Sequence, residues 1–221
     1  VKNFKAISGK GAQAEVDGAH RVAEELGASH EILFIPYIDI EKFAENPPDR
    51  CYFCKRNILG RITSFAHERG FEAVMEGSNA EDGNEHRPGL RAIGELGVAS
   101  PLAEAGLSKK RIRELSREIG LSTWDRPDNT CLATRIRVGD SITREKLEMV
   151  EKAEDFMRSL GFGLCRVRHH GNIARVEVSP EKIPELLDQD VRERLDSRFR
   201  EIGFLYVTVD MTGYHRGSMG I

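Results

Sequence analysis

The sequence predicts an α/β domain built on a parallel sheet, followed by a smaller α+β domain. Three observations predict it. A strand, a helix and a strand follow one another within roughly the first 35 residues, which is the length of a βαβ unit, and such a unit forces a parallel sheet. A third apolar run at 73–77 empties into a polar segment at 78–85, and in open α/β sheets such loops after strand ends line the ligand crevice. Around Gly139 the pattern changes to a capped helix and two alternating strands, which reads as a second domain with an antiparallel sheet. The expected domains are 1–138 and 139–221.

Taken in order, the apolar run 4–8 is the first strand, broken by Gly9-Lys10-Gly11. A helix over 12–26 follows, with Val16, Ala19, Val22, Ala23 and Leu26 on one face and Gly27 as its stop. The run 31–35 is the second strand, and a short helix is expected over 38–45. Asn46-Pro47-Pro48 breaks the chain before Cys51-Tyr52-Phe53-Cys54, which opens a helix running to about Arg69. After the third strand and its loop, a helix begins at 87–91 and ends near Gly97, and 98–102 reads as another short strand. Ser108 caps a helix with Ile112, Leu115 and Ile119 inward, closed by Gly120. The stretch 124–136 is irregular and carries the third cysteine and the only tryptophan. Thr143 lies in the start of a capped helix to Leu160. Strands over 164–170 and 173–178 turn at Gly171-Asn172, helical segments cover 184–187 and 191–202, and a last strand covers 204–209.

With 221 residues the chain is long enough for one large or two small cores. A net charge of −3 argues against wholesale attraction to nucleic acid, which is not expected as a partner. No apolar run approaches the roughly 20 residues that a bilayer span needs, so no membrane association is expected. Val1-Lys2-Asn3-Phe4 reads as the approach to a strand and not as a signal peptide. Four cysteines are too few for a secreted disulfide scaffold and suit ligands or reactive thiols in a reducing cytoplasm.

The C-x-x-C at Cys51 and Cys54 points both sulfurs to one side of a helix, near its positive end, which favours thiolates. Cys165 alternates with Arg166 and Arg168 and shares the apolar face with Val167, so it reads as a core residue. That leaves Cys51, Cys54 and Cys131. Three thiols suit a [4Fe–4S] cluster with one open iron. Spacing alone leaves zinc, or a redox pair with an unrelated third cysteine, equally open. Arg87, Arg91, Arg126, Arg135, Arg166 and Arg168 are anion-binding candidates. Arg166 and Arg168 share a strand face beside His170 and can clamp phosphate or carboxylate, or simply form a solvated face. His169 and His170 point to opposite faces and do not share a metal. The tail 210–219 reads either as frayed or as a loop lining a site.

Taken together, Asn46-Pro47-Pro48-Asp49-Arg50-Cys51-Tyr52-Phe53-Cys54, Gly77-Ser78-Asn79, Arg87-Pro88-Gly89-Leu90-Arg91, Thr123-Trp124-Asp125 and Cys131-Leu132-Ala133-Thr134-Arg135-Ile136 resemble the LarE-type ATP-dependent sulfur transferases. So do Arg166-Val167-Arg168-His169-His170-Gly171 and Gly213-Tyr214-His215-Arg216-Gly217-Ser218-Met219. The resemblance spans nearly the whole chain in order. It implies the PP-loop ATP pyrophosphatase superfamily (the adenine nucleotide alpha hydrolase-like fold), with ATP and Mg²⁺ as cofactors. Such enzymes adenylate a carboxylate of a pyridinium mononucleotide and exchange its oxygen for sulfur, towards the nickel-pincer nucleotide cofactor. The superfamily's SGGxDS phosphate loop has no counterpart: Ser8-Gly9-Lys10-Gly11 follows the strand that matches the family's second. The resemblance therefore implies a PP-loop domain lacking its first βα unit, impaired in ATP binding as it stands.

The resemblance also implies residue roles. In one branch of the family the cysteine matching Cys131 attacks the adenylate and surrenders its own sulfur. That branch lacks the C-x-x-C. In the other, cysteines matching Cys51, Cys54 and Cys131 hold a [4Fe–4S] cluster whose open iron carries a sulfide; this sequence has all three, so the resemblance implies this three-cysteine iron–sulfur branch. Arg166 and Arg168, with Arg135, would hold the substrate phosphate, and Ser78 and Asn79 face the nucleotide. The family also suggests a homo-oligomer. Two other readings stand beside this one: a PP-loop tRNA thiolation enzyme with the same cluster, and a non-catalytic metal-binding module.

Overall fold

A computed structural model of the chain describes residues 2–7, 13–84, 88–126 and 130–215. The chain divides into two compact units, Val1–Asn129 and Thr130–Ile221. Together they make an α/β protein. Among the described residues no helix is long and apolar enough to cross a membrane.

The first unit opens as the sequence predicts. β1 (Lys2–Ile7), α1 (Gln13–Glu25) and β2 (Ser29–Phe34) form a βαβ unit, with the strands parallel and in register from Lys2↔Ser29 to Ile7↔Phe34. The break expected at Gly9-Lys10-Gly11 lies outside the described residues. Gly27 takes a φ of +58°, which stops α1 where a side chain would be strained. Leu26 is exposed, so the inward face of α1 ends one turn earlier than expected.

The short helix expected over 38–45 does not form. A 3-10 turn at Tyr37–Asp39 is followed by turns in which Lys42 and Asn46 have φ of +61° and +54°. A left-handed residue cannot continue a right-handed helix. The buried side chains of Ile40 and Phe43 account for the apolar period that suggested one. α2 (Arg50–Glu68) buries Tyr52, Leu59, Ile62 and Ala66 on one stripe and packs on α3 (Pro88–Glu95). Arg87, the expected start of α3, lies outside the described residues.

The expected strands at 73–77 and 98–102 reduce to one parallel bridge, Met75↔Ala99. Ala99 N–H donates to Val74 (3.0 Å) and Glu76 N–H to Ala99 (2.9 Å). Pro101 has no N–H to extend this ladder and opens α4 (Pro101–Glu104) instead. α5 (Lys109–Glu118) is capped by Ser108, whose hydroxyl accepts from Arg111 N–H at 3.2 Å. Ile112 and Leu115 are half-buried as expected, but Ile119 lies beyond the last turn and is 65% exposed.

The second unit packs α6 (Arg144–Ser159) on a three-stranded sheet of order β3-β4-β5. β3 (Cys165–His170) and β4 (Ile173–Val178) form the expected antiparallel hairpin, turning at Gly171 with φ +63°. The chain then returns through α7 (Ile183–Leu186) and α8 (Gln189–Ile202), so β5 (Tyr206–Val209) runs parallel to β4. This corrects the expectation of an all-antiparallel sheet: a helical crossover reverses the chain twice and restores strand direction. Met157, Cys165, Val167, Val176, Val178, Phe199 and Phe204 form the core.

Candidate functional site

The expected site residues fall into both units. Cys51, Cys54, Ser78 and Asn79 lie in the first, and Cys131, Arg135, Arg166 and Arg168 in the second.

In the first unit, Cys51 and Cys54 occupy the first turn of α2, Cys51 exposed and Cys54 half-buried. Three residues apart on a helix, they share a face at its positive end. Tyr52 between them is buried. Its hydroxyl donates to Glu95 at 2.7 Å, and Arg91 stacks on its ring at 3.6 Å. Gly89 of α3 lies against the same turn: a Cβ there would sit 3.3 Å from Lys55 Cδ and 3.6 Å from the Cys51 carbonyl oxygen.

Lys55 reaches Glu76 at 3.2 Å, and the same carboxylate accepts from Ser78 N–H (2.9 Å) and the Ser100 hydroxyl (2.7 Å). Burial pushes Glu76 up. The hydrogen bonds from Ser78 and Ser100 and the Lys55 charge outweigh it and hold the carboxyl below its ordinary range. Glu76 thus ties the cysteine helix to the polar loop. In that loop Asn79 N–H donates to Asp82, and Asn79 Oδ1 accepts from Glu81 N–H, each at 2.9 Å. Arg91 is spent on Tyr52 and on Glu95 (3.4 Å). Arg126 reaches back towards α1, where Gly18 leaves room for its guanidinium.

In the second unit, Cys131 is exposed at the head of a 3-10 turn, Leu132–Arg135. Its carbonyl accepts from Thr134 N–H (2.9 Å), the Thr134 hydroxyl (2.7 Å) and Arg135 Nη1 (3.3 Å). Arg135 is fully buried. It grips Glu154 of α6 through Nε (2.7 Å) and Nη2 (3.1 Å), and its Nη1 donates to the hydroxyls of Thr130 (2.6 Å) and Thr134 (2.9 Å). Glu154 also accepts from Val167 N–H of β3 at 3.1 Å. The Cys131 loop is therefore bolted to α6 and β3 by one buried ion pair, while Cys131 itself is exposed.

Arg166 and Arg168 are each only 6% exposed, so the alternative of a solvated strand face does not hold. Arg168 donates to Glu177 from Nε (3.0 Å) and Nη2 (2.8 Å) and to the Thr134 carbonyl (3.2 Å). Arg175 takes the other Glu177 oxygen at 3.0 Å. Arg166 Nη1 donates to the Cys165 carbonyl at 2.7 Å, and its guanidinium lies 5.2 Å from the Tyr214 ring. Burial, then the charge of Arg135, pushes the Arg166 pKa down. Such crowding of buried cations is relieved by an anion.

Burial also lowers the pKa of His169 and His170, aided by the charges of Lys146 and Arg175 respectively. Among the described residues His170 Nε2 is buried without a hydrogen-bond partner. Cys165 is buried, and burial followed by the Glu154 charge pushes its thiol up to about 11.

The thiols present suit iron or zinc in chemistry: three are accessible and the fourth is sealed in the core. Among the described residues no three His, Cys, Asp or Glu side chains are gathered as a metal site. Reasoning from the sequence missed Glu154, Glu177 and Glu76. Glu154 carried a signal: it lies on the stripe Val150, Ala153, Met157, where an acid is buried and needs a cation. Of the tail 210–219, residues after His215 lie outside the described residues.

No family model matches the chain. It is 38% identical to an uncharacterized protein of Synechocystis, covering 93% of this chain and 76% of the relative. It is 35% identical to the pyridinium-3,5-bisthiocarboxylic acid mononucleotide synthase of Lactiplantibacillus plantarum, covering 93% and 74%. An uncharacterized protein of Methanocaldococcus jannaschii is 32% identical over 82% of this chain and 70% of its own length.

Proposed function

Because the chain belongs to the family of the pyridinium-3,5-bisthiocarboxylic acid mononucleotide synthase, we propose that it is a sulfur transferase that converts a carboxylate of a pyridinium mononucleotide to a thiocarboxylate in nickel-pincer nucleotide biosynthesis. The observation that carries the residue assignment is the Cys131 loop: an exposed thiol on a turn locked from behind by Arg135 and Glu154, with Arg166 and Arg168 in the same unit.

A carboxylate is a poor electrophile. Transfer of AMP from ATP, with Mg²⁺ and loss of pyrophosphate, makes its oxygen a leaving group. We assign the nucleotide side to the loop of Ser78 and Asn79, within a PP-loop domain that lacks its first βα unit. Cys131 then attacks the acyl carbon as thiolate, AMP departs, and a thioester to the protein remains. Removal of the Cys131 Cα proton and cleavage of its Cβ–S bond release the thiocarboxylate and leave dehydroalanine at 131. A [4Fe–4S] cluster, for which Cys51, Cys54 and Cys131 are the candidate thiols, would supply sulfide in place of the Cys131 sulfur. Arg166 is the primary phosphate-binding residue of the site. Arg168 and Arg135 fix its surroundings through Glu177, Thr134 and Glu154. We place the enzyme in the cytoplasm, as a homo-oligomer, where reduced thiols persist.

Two measurements test the assignment. Arg166→Ala raises KM for the mononucleotide roughly 10- to 100-fold, the size of a lost charged hydrogen bond of about 1.5–3 kcal/mol. An unchanged KM would remove Arg166 from the phosphate site. Mass spectrometry after turnover of iron-free protein should find residue 131 lighter by one H₂S. Intact Cys131 beside thiolated product would assign the sulfur to another source.

A further inference from the structure

Asn46 is fully buried, has a φ of +54° and stands immediately before Pro47. All three facts are unusual together. Proline disfavours helical backbone in the residue before it and pushes it to extended conformations with negative φ. A non-glycine residue held in a sparsely populated conformation persists only where its surroundings over-determine it, and such residues gather at functional sites. The surroundings here are specific. Asn46 N–H donates to the Phe43 carbonyl at 3.0 Å, closing a turn over the buried Phe43 and Ile40. Its Oδ1 accepts from Arg50 Nη1 at 2.8 Å. Arg50 is the first residue of α2 and the neighbour of Cys51. Lys42, with φ +61°, lies with its ammonium 5.2 Å from the ring of Phe53, between the two cysteines. Asp49, at the cap position of α2, makes no side-chain cap hydrogen bond, so the helix start is fixed from Asn46 instead.

We propose that Asn46 is the positioning residue of the cysteine pair: its left-handed backbone turns the chain into α2, and its Oδ1 clamps Arg50, so that Cys51 and Cys54 present their thiols as one two-sulfur donor. This rests on the reading that the pair acts as a donor. Asparagine suits both tasks, since it tolerates positive φ better than other side chains and carries an acceptor. Glycine would keep the backbone and lose the clamp. Aspartate would keep both. Alanine would lose both.

The test uses phenylarsine oxide, which condenses with two thiols held together, releasing one water and forming two As–S bonds with no change of oxidation state. The reduced, metal-free chain is titrated with the arsenical, the sites are mapped by mass spectrometry, and folding is checked by circular dichroism. Iron is quantified separately after anaerobic reconstitution. The parent and Asn46→Asp should capture the arsenical at Cys51 and Cys54 with similar affinity. Asn46→Gly should bind it several-fold more weakly, and Asn46→Ala at least tenfold more weakly. If Asn46→Ala does not fold, Asn46→Gly decides. Parent-like capture by folded Asn46→Gly and Asn46→Ala, or by Asn46→Gly alone in that case, overturns the proposal, as does a parent that captures no arsenical. A parent that captures arsenical with the expected ranking but takes up no iron supports the positioning role and removes the cluster.

Discussion

Arg135 is the buried cation that holds the Cys131 loop of the second unit in place. A guanidinium with no exposed surface grips a carboxylate in two parallel hydrogen bonds and spends its remaining nitrogen on the loop of Cys131. Lysine keeps the charge but not the fork, so Arg135→Lys should loosen the loop even where the protein folds. Removing one partner of a buried ion pair costs about 3–5 kcal/mol, because the other charge is left stranded. Glu154→Ala should therefore lower the melting temperature of the second unit sharply. Thermal denaturation followed by near-ultraviolet circular dichroism checks this, and an unchanged melting curve would mean that the pair is not a structural bolt. Burial gives the cysteines different fates. Cys165, pushed up to about 11, remains a thiol at neutral pH. Native iodoacetamide labelling should mark Cys51 and Cys131 and leave Cys165 untouched until the chain unfolds.

At the scale of elements, the sequence carried most of what periodicity and punctuation can carry. The βαβ unit, the cysteine helix, the caps at Ser108 and Thr143 and the Gly171 hairpin stand where residue patterns put them. What it did not carry depends on partners distant in the chain. Residues 73–77 and 98–102 have strand composition, yet they share one bridge because Pro101 ends the ladder. Residues 38–45 have a helical period, yet left-handed Lys42 and Asn46 break it. The direction of β5 was hidden because strand composition does not encode which way a strand runs. The candidate site divides likewise. Cysteines and arginines announced themselves by type and spacing, whereas Glu76, Glu154 and Glu177 acquire meaning only through the cations they meet. At this scale Gly89 is also informative. Gly89→Ala should push Lys55 away from Glu76 and perturb the first turn of α2. The Lys55→Ala variant should reproduce part of that effect, and equal arsenical capture by all three proteins would contradict it.

Across the whole molecule, two separate cores answer differently to acid. In the second unit His169 and His170 have folded pKa values below the ordinary 6.5. The unfolded chain therefore takes up protons first, and stability falls as pH drops through the ordinary histidine range towards the depressed folded values. In the first unit Glu76 is depressed below its ordinary 4.5. Its contribution is present above that value and is lost as pH falls through the lower folded value. Hydrogen exchange resolved by segment should show the second unit loosening between about pH 7 and 5, with Glu76's surroundings holding until the carboxylate range. Simultaneous loosening of both units in the histidine range would contradict this.

As a sulfur transferase of this family, the protein should exchange a carboxylate oxygen of a pyridinium mononucleotide for sulfur. That exchange is read in the mass of the mononucleotide after anaerobic incubation of the protein with the preformed acyl-adenylate of the mononucleotide, which asks nothing of the phosphate loop, and in parallel with the mononucleotide, ATP and Mg²⁺. A product in which one oxygen has been replaced by sulfur, formed together with AMP and absent with Cys131→Ala, is the predicted result. A preformed adenylate that yields no thiocarboxylate above the protein-free control would contradict it.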